Sequence, residues 1–207
     1  MGTATKSAEA GTTLFYDSHA QDYSESTIGL DVRELREPFL KELRPGSHIL
    51  DAGCGSGRDS KAFLDRGYRV TAIDASPGLA RLASAYTGLQ CEVLAFQEMQ
   101  FREEFDGVWA CASLLHVPLR DIDNVMTRFV RALKPGGVFY ISLKEGQGER
   151  IAEDGRFFNY YSLDSFRKLL ARCPALREAS FWTTPEIRSL KHREPWLNFL
   201  LLKTTET

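Results

Sequence analysis

The chain has 207 residues, of which 43% are hydrophobic and 26% are charged, a composition typical of one water-soluble globular domain. Its formal net charge of −2 argues against the basic surface of a nucleic-acid-binding protein, and no apolar run approaches the roughly 18 residues of a membrane span. Four widely spaced cysteines and the lack of a signal-peptide pattern predict a reduced, cytoplasmic protein without a metal site.

Residues 1–11 are small and polar and are predicted to form a disordered tail before a single domain at 12–207. Helix-like and strand-like segments then alternate, which predicts a doubly wound α/β fold with helices on both faces of a mostly parallel sheet. The predicted helices cover 8–23, 31–43, 58–66, a segment beginning at Pro77, 121–133 and 163–173. The seven predicted strands cover 48–51, 69–74, 90–95, 105–111, 138–143, 175–183 and 195–203, and the last two are expected to pair as an antiparallel ribbon at the sheet edge.

A three-glycine turn directly follows the first predicted strand, in the sequence ILDAGCGSG at 49–57. Alternate glycines after an apolar run are typical of a strand that turns into a helix close to a bound ligand. The spacing differs from the dinucleotide pattern G-x-G-x-x-G, because the third glycine comes one position early, at Gly57, and Arg58 stands where that pattern has its third glycine. Asp51 is expected to direct a carboxylate at the pocket, which disfavours a pyrophosphate and favours a positively charged ligand such as S-adenosylmethionine.

A second acid, Asp74, ends the next predicted strand, about 20 residues beyond the first glycine. In nucleotide-binding α/β folds, an acid at this position forms hydrogen bonds with ribose hydroxyls. Taken alone, Asp74 is equally explained as the cap of the following helix. Together with the glycine turn, it predicts a site for an adenosine-containing ligand.

Two further motifs complete a pattern known from one family: FDGVWACASLLH at 105–116 and LKPGG at 133–137. With the glycine turn and the Asp74 strand, they make the chain resemble the class I S-adenosylmethionine-dependent methyltransferases, from about Phe15 to Lys203. It is most similar to small bacterial members of the methyltransferase-domain type, including those labelled tellurite-resistance methyltransferases. The resemblance implies a seven-stranded sheet whose last strand is antiparallel, and S-adenosylmethionine as cofactor.

The resemblance also implies roles for individual residues around the cofactor. The methionine portion, the ribose and the adenine are each expected to contact a short set of residues after the first four strands. The implied cofactor-binding residues are Asp51, Gly53, Gly55, Gly57, Asp74, Ala75, Phe96, Gln97, Ala110 and Cys111, with Tyr16 and Tyr23 folding over the cofactor. For the two tyrosines, packing in the core is an equal alternative.

His116 follows the fourth predicted strand, beside the expected position of the methyl group. Because neutral imidazole accepts a proton near pH 7, His116 is the candidate general base for methyl transfer. The alternative is that it forms a hydrogen bond with the backbone or orients a loop. An acceptor that is already an anion, a thiolate or an amine needs no base.

The segment 145–161 is the longest polar connection and leaves the ligand-binding edge of the predicted sheet. It is predicted to be a mobile lid in which Arg156 and Tyr160 face a small acceptor; a solvated loop is the alternative. Trp182, Arg193 and Trp196 are predicted to pack at the sheet edge instead. The predicted function is therefore methyl transfer to a small soluble molecule by a monomer or homodimer, without nucleic-acid or membrane partners. A nucleic-acid or protein methyltransferase and a non-catalytic cofactor-binding module are the alternatives.

Overall fold

A computed structural model of the protein describes residues 2–187 and 194–205. Within these ranges, nine strands lie at β1 His48–Ala52, β2 Arg69–Asp74, β3 Glu92–Val93, β4 Phe105–Ala110, β5 Leu133–Lys144, β6 Gly148–Ile151, β7 Phe157–Tyr160, β8 Leu176–Thr184 and β9 Trp196–Lys203. Seven of them form one sheet in the order β3-β2-β1-β4-β5-β9-β8, and β6 pairs with β7 in a separate hairpin. The predicted seven-stranded sheet is thus confirmed.

The first five strands of the main sheet are parallel, and β9 inserts antiparallel between β5 and β8. The chain starts in the middle of the sheet, builds β1, β2 and β3 outward, and returns to place β4 on the other side of β1. This reversal opens a crevice at the carboxyl ends of β1 and β4, which is where open α/β sheets bind their ligands.

Helices cover both faces of the sheet, as the alternating pattern predicted. They lie at α1 Gly2–Ser18, α2 Ala20–Thr27, α3 Arg33–Lys41, α4 Arg58–Leu64, α5 Pro77–Thr87, α6 Leu119–Ala132 and α7 Leu163–Leu170. Successive strand residues alternate between the faces, so Val108 belongs to the core cluster of α6 and α7 while its neighbour Trp109 belongs to that of α3 and α4. Among the residues described, no helix combines the length and apolarity that a membrane span requires.

The N-terminal segment differs from the sequence expectation in two ways. Helix α1 begins at Gly2, so helix occupies most of the segment 1–11 that was predicted to be disordered. The single helix predicted at 8–23 is divided into α1 and α2 at His19, whose ψ of 22° departs from helical geometry. The His19 ring and the Ser18 hydroxyl both contact the carbonyl of Phe15, so they compete with the backbone for the acceptor at the end of α1.

The segment 145–161 also differs, because it contains the antiparallel pair β6 and β7 rather than an irregular connection. Its second strand is anchored, since Phe157, Phe158 and Asn159 are buried while all four residues of β6 are exposed. The Phe157 amide donates a 2.8 Å hydrogen bond to the Thr12 hydroxyl of α1. The segment, called the hairpin below, therefore rests on the N-terminal helix.

Candidate functional site

Two cavities open at the carboxyl edge of the sheet, on either side of a shared wall. The first has a volume of about 510 Å³ and is bounded by the turns after β1, β2 and β4. The second has a volume of about 1110 Å³ and extends between α2, α3, the hairpin and the start of β9. The shared wall consists of Tyr16, Tyr23, Cys111, Ala112 and His116.

The glycine turn brings the end of β1 unusually close to the end of β4. Gly53 has a φ of 78°, and a Cβ atom added to it would lie 2.5 Å from the Cβ of Ser113. The Ser113 hydroxyl donates a 2.7 Å hydrogen bond to the carbonyl of Ala52, which holds the two turns together. Glycine is therefore required at position 53 by both backbone conformation and space.

Asp74 lies in the first cavity with both of its carboxylate oxygens held by backbone amides. Oδ2 accepts a 2.9 Å hydrogen bond from Gly55, and Oδ1 accepts one of 2.9 Å from Ser76. Enclosure of the carboxylate raises its pKa, against the two amide hydrogen bonds that lower it. Each oxygen retains a second lone-pair direction, so a pair of ribose hydroxyls can donate to this carboxylate from the cavity.

Most residues assigned to the cofactor line the first cavity. Besides Asp74, these are Tyr16, Tyr23, Gly53, Gly55, Ala75, Phe96, Gln97 and Cys111. Phe96 is fixed by an edge-on contact with Phe129 of α6 at 5.1 Å between ring centroids. An aromatic wall beside Ala75 and Gln97 suits a flat purine.

Three assigned residues lie behind the cavity wall instead. Asp51 is 2% exposed and lines neither cavity; it accepts a 2.6 Å hydrogen bond from the Ser60 hydroxyl. Burial, and next the neighbouring carboxylate of Asp59, raise its pKa. Ala110 is fully buried in the sheet, and Gly57 packs against Ala83 of α5. The expectation that Asp51 directs its carboxylate at the pocket is therefore wrong, because the hydroxyl of α4 turns that carboxylate into the interior.

The shared wall contains a strained residue. Ala112, the second residue after β4, has a φ of 54°, which is rare for a residue with a Cβ atom. Its amide donates a 2.8 Å hydrogen bond to the Ser142 hydroxyl of β5, and this contact keeps the backbone in place. Strain of this kind persists where the surrounding structure holds it, and it concentrates at functional sites.

His116 is held from both sides of its ring. Its Nδ1 atom lies 2.7 Å from the Phe157 carbonyl, and its Nε2 atom lies 3.0 Å from the Tyr16 hydroxyl. Because a carbonyl only accepts, Nδ1 carries the proton, and Nε2 of the neutral ring is left to accept from Tyr16. Burial first, with smaller contributions from the charges of Arg156 and Lys144, lowers the pKa of His116 to about 4. The imidazole is thus neutral, with its lone pair on Nε2, the atom that faces the Tyr16 hydroxyl within the shared wall.

Arg156 joins the hairpin to the same group of residues. Its Nη1 donates to the Tyr16 hydroxyl at 3.3 Å, while Nε and Nη2 donate to Asp154 at 3.0 and 2.6 Å. The guanidinium also lies over the rings of Phe15 and Phe158, at 4.7 and 5.2 Å from their centroids. Arg156 lines the second cavity.

Tyr160 occupies a different position from the one expected. It lines neither cavity and packs against Gly146 and under the guanidinium of Arg150. Phe158, two residues earlier on the same face of β7, lines the second cavity instead. Arg156 and Tyr160 are four positions apart, and the sequence analysis did not predict that 157–160 form a strand.

The second cavity is also lined by residues that the sequence analysis did not assign to the site. These are Arg58 of the glycine-turn helix, Ser142 and Lys144 of β5, and Trp196 and Asn198 of β9. Trp196 was predicted to pack at the edge, but β9 is an inner strand and its first residue reaches the cavity. Trp182, on the edge strand β8, is partly buried and packs against the core beside Tyr140, and Arg193 lies outside the described residues.

A buried ion cluster supports the floor of this cavity. Asp59 forms ion pairs with Arg36 at 2.6 Å and with Arg58 at 2.7 Å, and it accepts a 3.1 Å hydrogen bond from the Trp109 indole. Although burial opposes the ionised form, the two guanidiniums and Trp109 surround the carboxylate, and the pKa of Asp59 is lowered. One carboxylate thus faces two permanent cations.

Comparison with known proteins agrees with this geometry. Residues 49–137 match the family described as "Methyltransferase domain". A ubiquinone biosynthesis O-methyltransferase of Xanthomonas oryzae is 35% identical over 105 residues, which cover 47% of this chain and 43% of that relative. The chain therefore spans less than half the length of this curated relative.

Two solved structures share the fold across nearly the whole chain. A Burkholderia thailandensis 1,6-didemethyltoxoflavin N1-methyltransferase, bound to its substrate and S-adenosylhomocysteine, has a TM-score of 0.77 and 24% identity, covering 94% of this chain and 88% of that one. The [4+2]-cyclase SpnF has a TM-score of 0.72 and 16% identity, covering 97% of each chain. At these identities the likeness establishes the fold alone.

The state of His116 is testable through the pH dependence of stability. Its pKa is about 4 when folded against an ordinary 6.5, so between these values the unfolded chain binds the proton more readily, and stability falls as the pH falls through this window. We expect His116→Gln to remove up to about 3 kcal/mol of that loss, measured by urea unfolding at several pH values. In the Arg156→Met variant, which keeps His116, the pKa of the His116 ring measured by NMR should be higher than in wild type, because a neighbouring cation has been removed. An unchanged stability profile in His116→Gln would contradict the assignment.

Proposed function

We propose that the chain is a class I S-adenosylmethionine-dependent methyltransferase that transfers a methyl group to a small molecule held in the second cavity. The observation that carries this proposal is the shared wall. A cofactor in the first cavity and an acceptor in the second would meet at Tyr16, Ala112 and His116. Methyl transfer is an in-line displacement, and two cavities that share these lining residues would place the acceptor opposite the methyl group.

The residues of the first cavity fit the cofactor. Asp74 would bind the ribose hydroxyls, Phe96 and Ala75 would flank the adenine, and the Gly53 turn would leave room for the methionine portion. When bound, S-adenosylmethionine supplies an electrophilic methyl group on a sulfonium. The second tyrosine of the wall, Tyr23, lies 3.3 Å from a Cβ atom built on Gly55, so it would close over the turn.

A small acceptor is favoured by the shape and charge of the second cavity. On the α3 side of this cavity, Asp31 is paired with Arg33 and Glu37 with Arg66, and Glu34 adds a further acid. A nucleic-acid channel would need unpaired cations along its course. The volume of about 1110 Å³ is close to that of pockets for small ligands.

His116 is proposed as the group that receives the acceptor's proton. Its Nε2 lone pair is directed at the Tyr16 hydroxyl, so the proton would pass from the acceptor to Tyr16 as Tyr16 donates to Nε2. The Phe157 carbonyl fixes the ring in this tautomer and stabilises the imidazolium that results. Arg156 also donates a hydrogen bond to the Tyr16 hydroxyl, so it would stabilise the negative charge that develops on the Tyr16 oxygen as its proton moves to Nε2.

The hairpin at 145–161 is proposed as a lid over the second cavity. Its buried strand supplies Phe158 to the cavity wall and the carbonyl that holds His116, while β6 faces solvent. Closure of the outer strand over an acceptor would exclude water from the sulfonium.

The first test concerns the cofactor. Asp74→Ala should weaken binding of S-adenosylhomocysteine by about 1.5–3 kcal/mol for each ribose hydrogen bond that is lost. The matched control is Asp106→Ala, which also removes a carboxylate that accepts a backbone amide, here that of His48, but which lies away from both cavities. Calorimetry should separate the two variants; equal binding by wild type and Asp74→Ala would refute the ribose assignment.

The second test concerns the proton path. His116→Ala should lower kcat by about 10²–10⁴-fold while affinity for the cofactor is little changed, because the ring acts on the acceptor side of the wall. Tyr16→Phe should lower kcat as well, since it interrupts the path while keeping the ring. Kinetics are followed by release of S-adenosylhomocysteine from a panel of acceptors. A loss below about tenfold in both variants would assign His116 an orienting role.

The third test concerns the lid. Amide hydrogen exchange in 148–151 should slow on addition of S-adenosylhomocysteine and an acceptor together, and change less with either alone. The buried strand at 157–160 is the internal control, because it is protected in every state. Equal exchange of β6 in all states would remove the lid from the proposal.

A cofactor-binding protein that does not transfer the methyl group is the second candidate, because the first cavity alone would be enough to bind the cofactor. The two functions differ in the fate of the cofactor. Methyl transfer converts S-adenosylmethionine stoichiometrically into S-adenosylhomocysteine, whereas the second candidate leaves it unchanged. Quantifying both species after incubation with acceptors decides between them.

A further inference from the structure

Lys144 ends β5 inside the second cavity, in an environment unlike that of a surface lysine. Its side chain is 16% exposed, and its Nζ atom lies 3.9 Å from Oε2 of Glu186, beyond hydrogen-bond distance. Within residues 2–187 and 194–205, the Lys144 ammonium donates no hydrogen bond. A largely desolvated ammonium with three donors thus faces the cavity.

Two aromatic rings flank the ammonium. The centroids of Phe158 and Trp196 lie 5.4 and 5.6 Å from Nζ, one ring from the hairpin and the other from β9. The Trp196 indole is oriented by a 3.2 Å hydrogen bond to Glu186, and Phe158 is oriented by its contact with the His116 ring at 4.9 Å. The walls are therefore flat, apolar and fixed, with the cation between them and His116 beside them.

The charge beneath the cavity has the same sign as Lys144. Asp59 is shared by Arg36 and Arg58, and the raised pKa of Asp51 favours its neutral form. This cluster, which includes the cavity-lining Arg58, therefore keeps one excess positive charge. Arg156 adds a further cation at the hairpin, although Asp154 compensates it.

We propose that the acceptor is a planar aromatic carboxylic acid, whose carboxylate bonds to Lys144 and whose ring packs against Phe158 and Trp196. This inference rests on the proposed function and deepens it by naming the acceptor class. The carboxylate gives Lys144 the hydrogen bonds that it lacks, and the ring directs a nucleophilic substituent toward Tyr16 and His116.

A cationic acceptor is disfavoured by the same contacts. Glu186 is the acid beside Lys144 and Trp196, but the Lys144 ammonium lies 3.9 Å from it and the Trp196 indole donates a hydrogen bond to it. A cation entering beside Glu186 would also face Lys144, while Arg58 and Arg156 line the same cavity and the acids Asp31, Glu34 and Glu37 lie on its α3 side. Repulsion between like charges in a poorly hydrated cavity makes this arrangement unfavourable.

The test compares carboxylates with amides of the same shape. Protein saturated with S-adenosylhomocysteine is titrated with para-hydroxybenzoate, a hydroxynaphthoate and the two matching carboxamides, by calorimetry or ligand-observed NMR. Wild type should bind the better carboxylate at least about tenfold more tightly than its amide, and Lys144→Met should reduce this ratio below about threefold. Lys168→Met, at an exposed lysine paired with Asp164, should keep the wild-type ratio.

A second variant tests the opposite direction. Glu186→Gln retains an acceptor for the Trp196 indole but removes the carboxylate that competes for Lys144, so it should raise the preference for carboxylates. A purely structural role of Lys144 and Glu186 would weaken binding in both variants alike. Thermal unfolding identifies any variant that fails to fold, and Glu186→Gln then decides the question alone.

Each outcome bears on the inference separately from the function. Equal binding of acids and amides by wild type, no binding of any probe, or weaker carboxylate binding in Glu186→Gln would overturn the acceptor class. A chain that methylates neutral acceptors without this preference keeps the function and loses the inference. A chain with the Lys144-dependent preference that never consumes the cofactor keeps the anion site and loses the methyl transfer.

Discussion

The ion cluster around Asp59 is the interaction on which the rest of the site depends. Asp59 lies in the first turn of α4, directly after the glycine turn, and connects that turn to α3 through Arg36 and to β4 through the Trp109 indole. A buried carboxylate is tolerated only with close partners, and removing it would leave two guanidiniums unpaired. The cluster thus fixes the glycine turn against the sheet and at the same time places Arg58 at the floor of the second cavity.

The position of both cavities follows from the order of the strands. Because β1 and β4 are neighbours although the chain builds β2 and β3 between them, the helices that follow them, α4 and α6, lie on opposite faces of the sheet and leave a crevice at its edge. Gly53 lies directly against Ser113 across this crevice, so the two turns are in contact there. Ala112, with its positive φ, lies between the end of β4 and the turn that carries His116. The cofactor side and the acceptor side are consequently separated by only a few side chains.

The sequence predicted what depends on local pattern. The glycine turn, Asp74 and the apolar strands follow one another in the chain, so their spacing was enough to place the first cavity. The second cavity could not be predicted in the same way, because Lys144, Phe158 and Trp196 come from three elements that meet only through the insertion of β9 between β5 and β8. The error at Asp51 has a related cause: a strand-end acid faces either the crevice or the helix behind it, and Ser60 decided for the helix.

The two sides of the shared wall are chemically complementary. Enclosure lowers the pKa of His116 to about 4, which makes it a weak base. Taking a proton from a phenol-like group with an ordinary pKa near 10 would then be uphill by about 6 units, or about 8 kcal/mol. The cations that line the second cavity act against this barrier, because they favour the anion of a bound acceptor and lower its pKa. A weak neutral base is sufficient only where the acceptor has been made acidic, so the charge of the second cavity and the burial of His116 are two parts of one arrangement.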